Sequence, residues 1–505
     1  MVLPYFKAKR DINRAGFSGL FSYCGWDYMA DLTREEVEGI LNQLKEYKER
    51  LEAEAELDDD EEEETPEEEE TPEEEEAEED ESSPAEEKEP EEEPEETIPN
   101  LKNKDLSGLD LSGLNFYGVD FTESKLVGTN FSDSDLTDCM LDDTDLAKAQ
   151  LMDCIMNDTQ LNRANLTEAN LERADMRRAK LHEANLTQAN LNESIVNKAD
   201  FLKANLSRAS MNNADLSRAN FKNADMSHSD LSDSKLSIGV FYETNLKEAN
   251  LMRADVKGAK MFGADFKNAR LTRVDFTGAD LTEAQLTNAD ISRAKFNGAI
   301  LRRANLEGSD LTECNLDIAD LNGAILLKVK LEGSHMNRAK LNDANLKGAY
   351  LRGVNLSRAK LGNANLEGAD LSDSNLEGAN FNEANLDHSD MSRAHLQEAV
   401  LEKTSLKNVY LTGSNLRKAN LDGSNLEGAD LAGAKLKGAS LIKTQLKGAN
   451  LHHADLDQAN LSQTDLSDAN LTGAKLVETN LTDAKLNGSI FEGTDLSEAK
   501  GYKKP

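Results

Sequence analysis

From Leu101 to Leu496 an apolar residue stands at every fifth position with no break in phase. All 80 of these positions hold Leu, Phe, Met, Val or Ile. An α-helix repeats at 3.6 residues and a strand at 2, so neither sustains such a pattern. The chain must instead turn a corner after each short extended piece. Glycine marks the corner: 24 of the 31 glycines lie two residues after an apolar centre, as at Gly258, Gly263, Gly278 and Gly298. A fixed glycine place implies a backbone conformation that side chains disfavour. Four corners close a square, which makes one coil 20 residues long and stacks the coils at about the 4.8 Å spacing of paired strands.

This geometry assigns the side chains. The centre points inward, and so does the small residue two places before it. From Val119 to Ala499 that second place holds nothing larger than Val. Cys139, Cys154 and Cys314 occupy it and read as small core residues, not as a redox or metal set. Phe201, Phe221 and Phe241, followed by Met261, are spaced by one coil and are expected to form one core column. The Asn or Asp just before each centre is expected to bond turn backbone. At the start of the repeat Leu109 and Leu114 replace the small inward residue, which widens the first coil and predicts a seat for a capping segment.

The stretch ANLTEANLERADM (Ala164–Met176) matches A(D/N)LXX, and the chain resembles the pentapeptide-repeat family over about residues 101–500. The resemblance implies an all-β fold, a right-handed quadrilateral parallel β-helix (β-solenoid). At four centres per coil it has about 20 coils and a length of roughly 95 Å. The right hand agrees with the general bias of parallel β connections. The family serves as a scaffold for unrelated roles, so the motif specifies the fold more than the task. Some members imitate B-form DNA and inhibit DNA gyrase.

The rest of the chain divides by composition. Residues 1–30 are an aromatic-rich segment with Tyr5, Phe6, Phe17, Phe21, Tyr23, Trp26 and Tyr28, including the only Trp. Residues 31–51 predict an amphipathic helix, with a Thr33–Glu36 capping box and a stripe of Val37, Ile40, Leu41, Leu44, Tyr47 and Leu51. Residues 52–100 predict a disordered, acidic linker. Residues 51–100 together hold −29 of the net −39, too much charge and too little apolar surface for a packed core. The tract is read as a spacer, with a polyanionic lure for a basic partner as the alternative. Residues 501–505 form a short tail.

These observations exclude several functions. The acidity argues against direct nucleic-acid binding, which needs a basic surface. There is no run of 18 apolar residues to span a membrane. The opening residues lack an apolar h-region, so no signal peptide is expected, and four scattered cysteines point to a reducing compartment, with the cytoplasm as the expected location. No catalytic, cofactor or metal site is expected, because the seven His are dispersed and a filled rod has no pocket. The expected function is a non-enzymatic scaffold that binds protein partners. The partner-binding candidates are Trp26, Phe17 and Phe21 in the first segment and Tyr242 and Phe262 on the rod. The alternative is a DNA mimic or polyanionic inhibitor of a DNA-binding protein such as gyrase. Against it, the most acidic face, with centres from Leu111 to Phe491, sums to only −8. Self-association is expected at the C-terminal end of the rod, where GYKKP or another copy would cover the last coil, or through the helix.

Overall fold

The computed structural model describes residues 32–59, 100–496 and 498–502. The aromatic segment with Phe17, Phe21 and Trp26 and the acidic tract from 60 to 99 lie outside the described residues. The remainder is one helix, α1 (Arg34–Asp59), and a four-sided coil.

Every fifth residue from Asp105 to Asn480 bridges in parallel to the residue 20 positions later, so one turn of the coil takes 20 residues. The pentapeptide Leu166–Asn170 shows how five residues satisfy their own backbone. Leu166 N–H donates to Asn185 O of the next coil (2.7 Å), and Glu168 N–H to Thr187 O (3.0 Å). Asn170 N–H donates back to Ala149 O (2.9 Å), and Ala169 N–H closes the turn on Leu166 O (3.0 Å). The one donor left, Thr167 N–H, goes to Asn165 Oδ1 (3.3 Å). This is why Asn or Asp recurs before the centre: it accepts the only amide that neither the turn nor the stack can pair. Where that residue is not Asx, an Asx from the coil below often substitutes, as Asp142 does for Asn162 N–H (2.7 Å) and Asp422 for Ile442 N–H (2.9 Å).

The residue two after each centre has φ between 52° and 74° from Asn103 to Gly493. Positive φ at the third residue of an i→i+3 turn is the type II signature. Glycine suits it best, yet most corners carry Asp, Glu, Lys, Arg, Asn, Gln or His.

Inside, centre side chains from Leu101 to Leu481 are at most 2 % exposed. Phe201, Phe221 and Phe241 stack face to face at 4.9 and 5.0 Å, with Met261 fully buried beyond them. Ser and Thr at the small inward place satisfy their hydroxyls on carbonyls: Ser124 Oγ donates to Leu101 O (2.6 Å), and Thr444 Oγ1 to Leu421 O (2.9 Å). Such groups would otherwise be costly to bury.

α1 seats on the first coils. Thr33 and Glu36 form the capping box: Thr33 N–H donates to Glu36 Oε2 (2.6 Å) and Glu36 N–H to Thr33 Oγ1 (3.3 Å). Leu32, Val37 and Leu44 are buried in the same core as Leu101 and Leu106, with Ile40, Leu41, Leu109 and Leu114 packed against it. Arg34 donates to Asp110 O and Ser112 O (3.2 Å each), while Lys48 bonds Tyr117 O and lies over its ring. The helix runs to Asp59 where the apolar stripe predicts an end at 51. The Ala, Glu and Leu of RLEAEAEL are strong helix formers that continue it into the acidic tract.

Candidate interaction surface

An apolar stretch of the skin is formed by Ile238, Val240 and Tyr242, which alternate with the inward Gly239 and Phe241. Here Val240 stands where most repeats carry Asn or Asp, and Lys260 does so one coil later. Tyr242 N–H and Phe262 N–H therefore have no acceptor among the described residues. Glu243 N–H donates to Phe262 O (2.9 Å), which places the two aromatic residues on adjacent coils of one face. Tyr242 is half-buried and Phe262 is 38 % exposed. Among the described residues their rings make no ring-to-ring contact, in contrast to the stacked phenylalanines inside. Leu202, two coils before Tyr242 in the same column, is half-buried.

Sequence reasoning missed two neighbours. Ile238 (φ 60°) and Ile318 (φ 56°) are the only β-branched residues among the described corners, and both lie more than half exposed in one column. Their signal was present, since each puts a β-branched side chain at the place that the repeat gives to Gly or a flexible polar residue.

Charge elsewhere is largely organised between coils. Arg163 grips Asp143 through Nε (2.7 Å) and Nη2 (2.5 Å), and Arg173–Asp153, Arg178–Asp158 and Arg253–Asp233 repeat the same fork one coil apart. The arginine bond holds each of the Asp143, Asp153 and Asp233 carboxyls below the ordinary range. Among the described residues Asp320 is the most enclosed carboxylate, its side chain 7 % exposed. Burial pushes its pKa up, but Arg302 at 2.8 Å, the Asn322 amide and Lys340 at 3.4 Å outweigh burial, and the net direction is down. Two histidines meet carboxylates, His182–Asp200 (2.7 Å) on a diagonal and His228–Glu248 (3.3 Å) one coil apart. Among the described residues no group of three or more His, Cys, Asp or Glu is arranged to hold a metal ion.

The three inward cysteines donate to carbonyls, Cys139 to Phe116 O (2.9 Å), Cys154 to Phe131 O (2.8 Å) and Cys314 to Ile291 O (3.1 Å). Burial pushes the Cys154 and Cys314 thiols up to about 12, and that of Cys139 upward as well. At the far end the rings of Phe491 and Tyr502 meet at 5.9 Å, and Ile490 is half exposed. Among the described helical residues none forms a helix long and apolar enough to cross a membrane.

Of the predicted partner-binding residues, the structure brings Tyr242 and Phe262 together; Trp26, Phe17 and Phe21 lie outside the described residues. No curated protein sequence matches the chain significantly. Solved structures similar to it include HetL, a pentapeptide repeat protein involved in heterocyst differentiation regulation from the cyanobacterium Nostoc sp. strain PCC 7120. HetL is 33% identical over 46% of this chain and 92% of its own, with a TM-score of 0.20. QnrB1, a plasmid-mediated fluoroquinolone resistance protein, is 16% identical over 44% of this chain and 90% of its own, TM-score 0.15. Rfr23 from the cyanobacterium Cyanothece 51142 is 23% identical over 31% and 90%, TM-score 0.12. The family model described as pentapeptide repeats matches in successive segments from residue 100 to residue 500. With its four-sided coil and repeating turn, the chain belongs to the pentapeptide repeat family, whose fold is the right-handed quadrilateral β-helix.

Proposed function

We propose that this protein is a non-enzymatic scaffold whose rod holds or spaces protein partners, docked through its N-terminal segment or the rod surface. One observation carries the reading: the interior is filled from Leu101 to Leu481, which leaves only the skin and the ends for recognition. The apolar stretch around Tyr242 and Phe262 breaks the polar, hydrogen-bonded pattern of the neighbouring surface, as partner sites do. Affinity capture tests this with the full chain, the chain lacking residues 1–31, and the Tyr242→Ser/Phe262→Ser chain. Loss of a reproducible partner from either altered chain supports the scaffold. Retention of every partner by both refutes docking through these surfaces.

The competing reading, mimicry of DNA to inhibit a DNA-binding protein, has less support because many rod carboxylates are already paired across coils. Clear inhibition in a gyrase supercoiling assay would reverse that ranking. Buried, unpaired thiols fit a reducing compartment such as the cytoplasm. The half-exposed Ile490 on the last described coil is a contact for self-association, read out by light scattering across concentration.

A further inference from the structure

Ile238 and Ile318 bracket three consecutive glycine corners, Gly258, Gly278 and Gly298, in a single column. Both side chains lean over the glycines. Ile238 Cγ1 lies 3.9 Å from where a Cβ would stand on Gly258, and Ile318 Cδ1 lies 3.8 Å from that point on Gly298. A Cβ on Gly278 would meet nothing within 4 Å, so the middle of the saddle is open backbone. Four coil steps make it about 19 Å long. Beside its Ile238 end stand Val240, Tyr242 and Phe262, with two backbone N–H groups that no acceptor among the described residues takes. A β-branched residue at positive φ is strained. Among the described residues both isoleucines stay more than half exposed, so little burial offsets that strain.

We propose that this saddle seats the chain's own segment around Phe17–Phe21. Reach selects the occupant. Leu32 is buried at the first coils, where Arg34 bonds Asp110 O and Ser112 O. Tyr242 lies between six and seven coils further along, about 30 Å at the strand spacing, and half a coil round from Ser112, on the opposite side of the rod. An extended chain spans at most about 3.3–3.6 Å per residue, which gives roughly 50 Å from Leu32 to Phe17 and roughly 38 Å to Phe21, but only about 20 Å to Trp26. With the half-turn to the opposite side included, Phe17 has length to spare for the Tyr242 end, Phe21 has little, and Trp26 falls short of the axial distance alone. A tethered segment is presented at an effective concentration on the order of millimolar, which favours it over a dilute outside partner. The docked segment brings aromatic rings to the apolar residues and carbonyls to the open N–H groups. It also covers the apolar patch around Tyr242 and Phe262, so a partner binding there must displace it.

The single Trp makes the test direct. In the full chain, Trp26→Phe with Phe17→Trp, or with Phe21→Trp, moves the indole into the docking segment. The expected result is blue-shifted emission at all protein concentrations, moving to the emission of an exposed indole with Ile238→Gly or with Tyr242→Ser/Phe262→Ser. Ile238→Gly removes the anchor and relieves the positive-φ strain, so the rod stays at least as stable, which circular dichroism on melting verifies. Exposed-indole emission at both positions before any rod substitution overturns the proposal. So does blue emission that neither rod variant changes. Blue emission lost on dilution assigns the saddle to a second copy and overturns it equally.

Discussion

Phe221 is fully buried between two parallel rings, Phe201 at 4.9 Å and 10° and Phe241 at 5.0 Å and 18°. Phe381 is equally buried at the same place in its own coil, but no ring contact involves it among the described residues. Replacing each by Leu, the commonest centre residue, removes the same atoms and leaves the same Ala two places before it. Only at 221 does the change also break two ring pairs. Each pair contributes about 0.5–1.5 kcal/mol beyond area burial. Phe221→Leu should therefore cost about 1–3 kcal/mol more than Phe381→Leu. A rod of this length need not unfold in two states, so the assay is local. Hydrogen exchange by mass spectrometry over residues 201–241 and over 361–401 reads each opening free energy separately. At about tenfold per 1.4 kcal/mol, the excess acceleration near 221 is about 5- to 150-fold. Equal acceleration at the two sites would show that the parallel rings add nothing beyond volume, and the reasoning fails.

Three further outcomes follow from the structure. Val37→Asp places a carboxylate where α1 is fully buried against the rod. It should lift the helix and accelerate exchange over residues 101–120, while residues 221–261, several coils away, keep their protection. In a Cys24→Ser chain the thiols of Cys139, Cys154 and Cys314 should stay unreactive towards a disulfide reagent in native buffer and titrate as three in denaturant, because burial raises all three. Fast native labelling of any of them would show that the coil opens there. The carboxyls of Asp143, Asp153, Asp233 and Asp320 are held below the ordinary value. The unfolded chain therefore binds more protons near pH 4. Their contribution is fully present above about pH 5 and is lost as pH falls through the lower folded values. The melting temperature should be flat from pH 5 to 8 and drop below about pH 4; a rise on acidification would contradict the pairing.

The phenylalanine column and the asparagine before each centre were legible without coordinates, because both follow from one period. Once five residues make a side and 20 make a coil, Phe201, Phe221 and Phe241 must align, and the amide after each centre must find a side-chain acceptor. The coupling of Tyr242 to Phe262 was readable in the same way. The failure of their rings to stack was not, since it depends on side-chain rotation on an open face. The His182–Asp200 pair was overlooked because its residues are 18 apart, a diagonal between neighbouring columns, whereas His228 and Glu248 are 20 apart and follow from the period alone.

The sequence by itself determined the inside and outside of the rod, the corner position and the stacking register, since every contact that builds the coil recurs at the same short separation. Only the tertiary structure decided how α1 sits on the first coil. Its contacts, Arg34 to Asp110 and Ser112 and Lys48 to Tyr117, join residues 69 to 78 apart and occur once. The tertiary structure also decided that Ile238 and Ile318 keep the strained corner conformation. The backbone bonds to the coils above and below are collective, and they hold each corner at positive φ whatever side chain it carries.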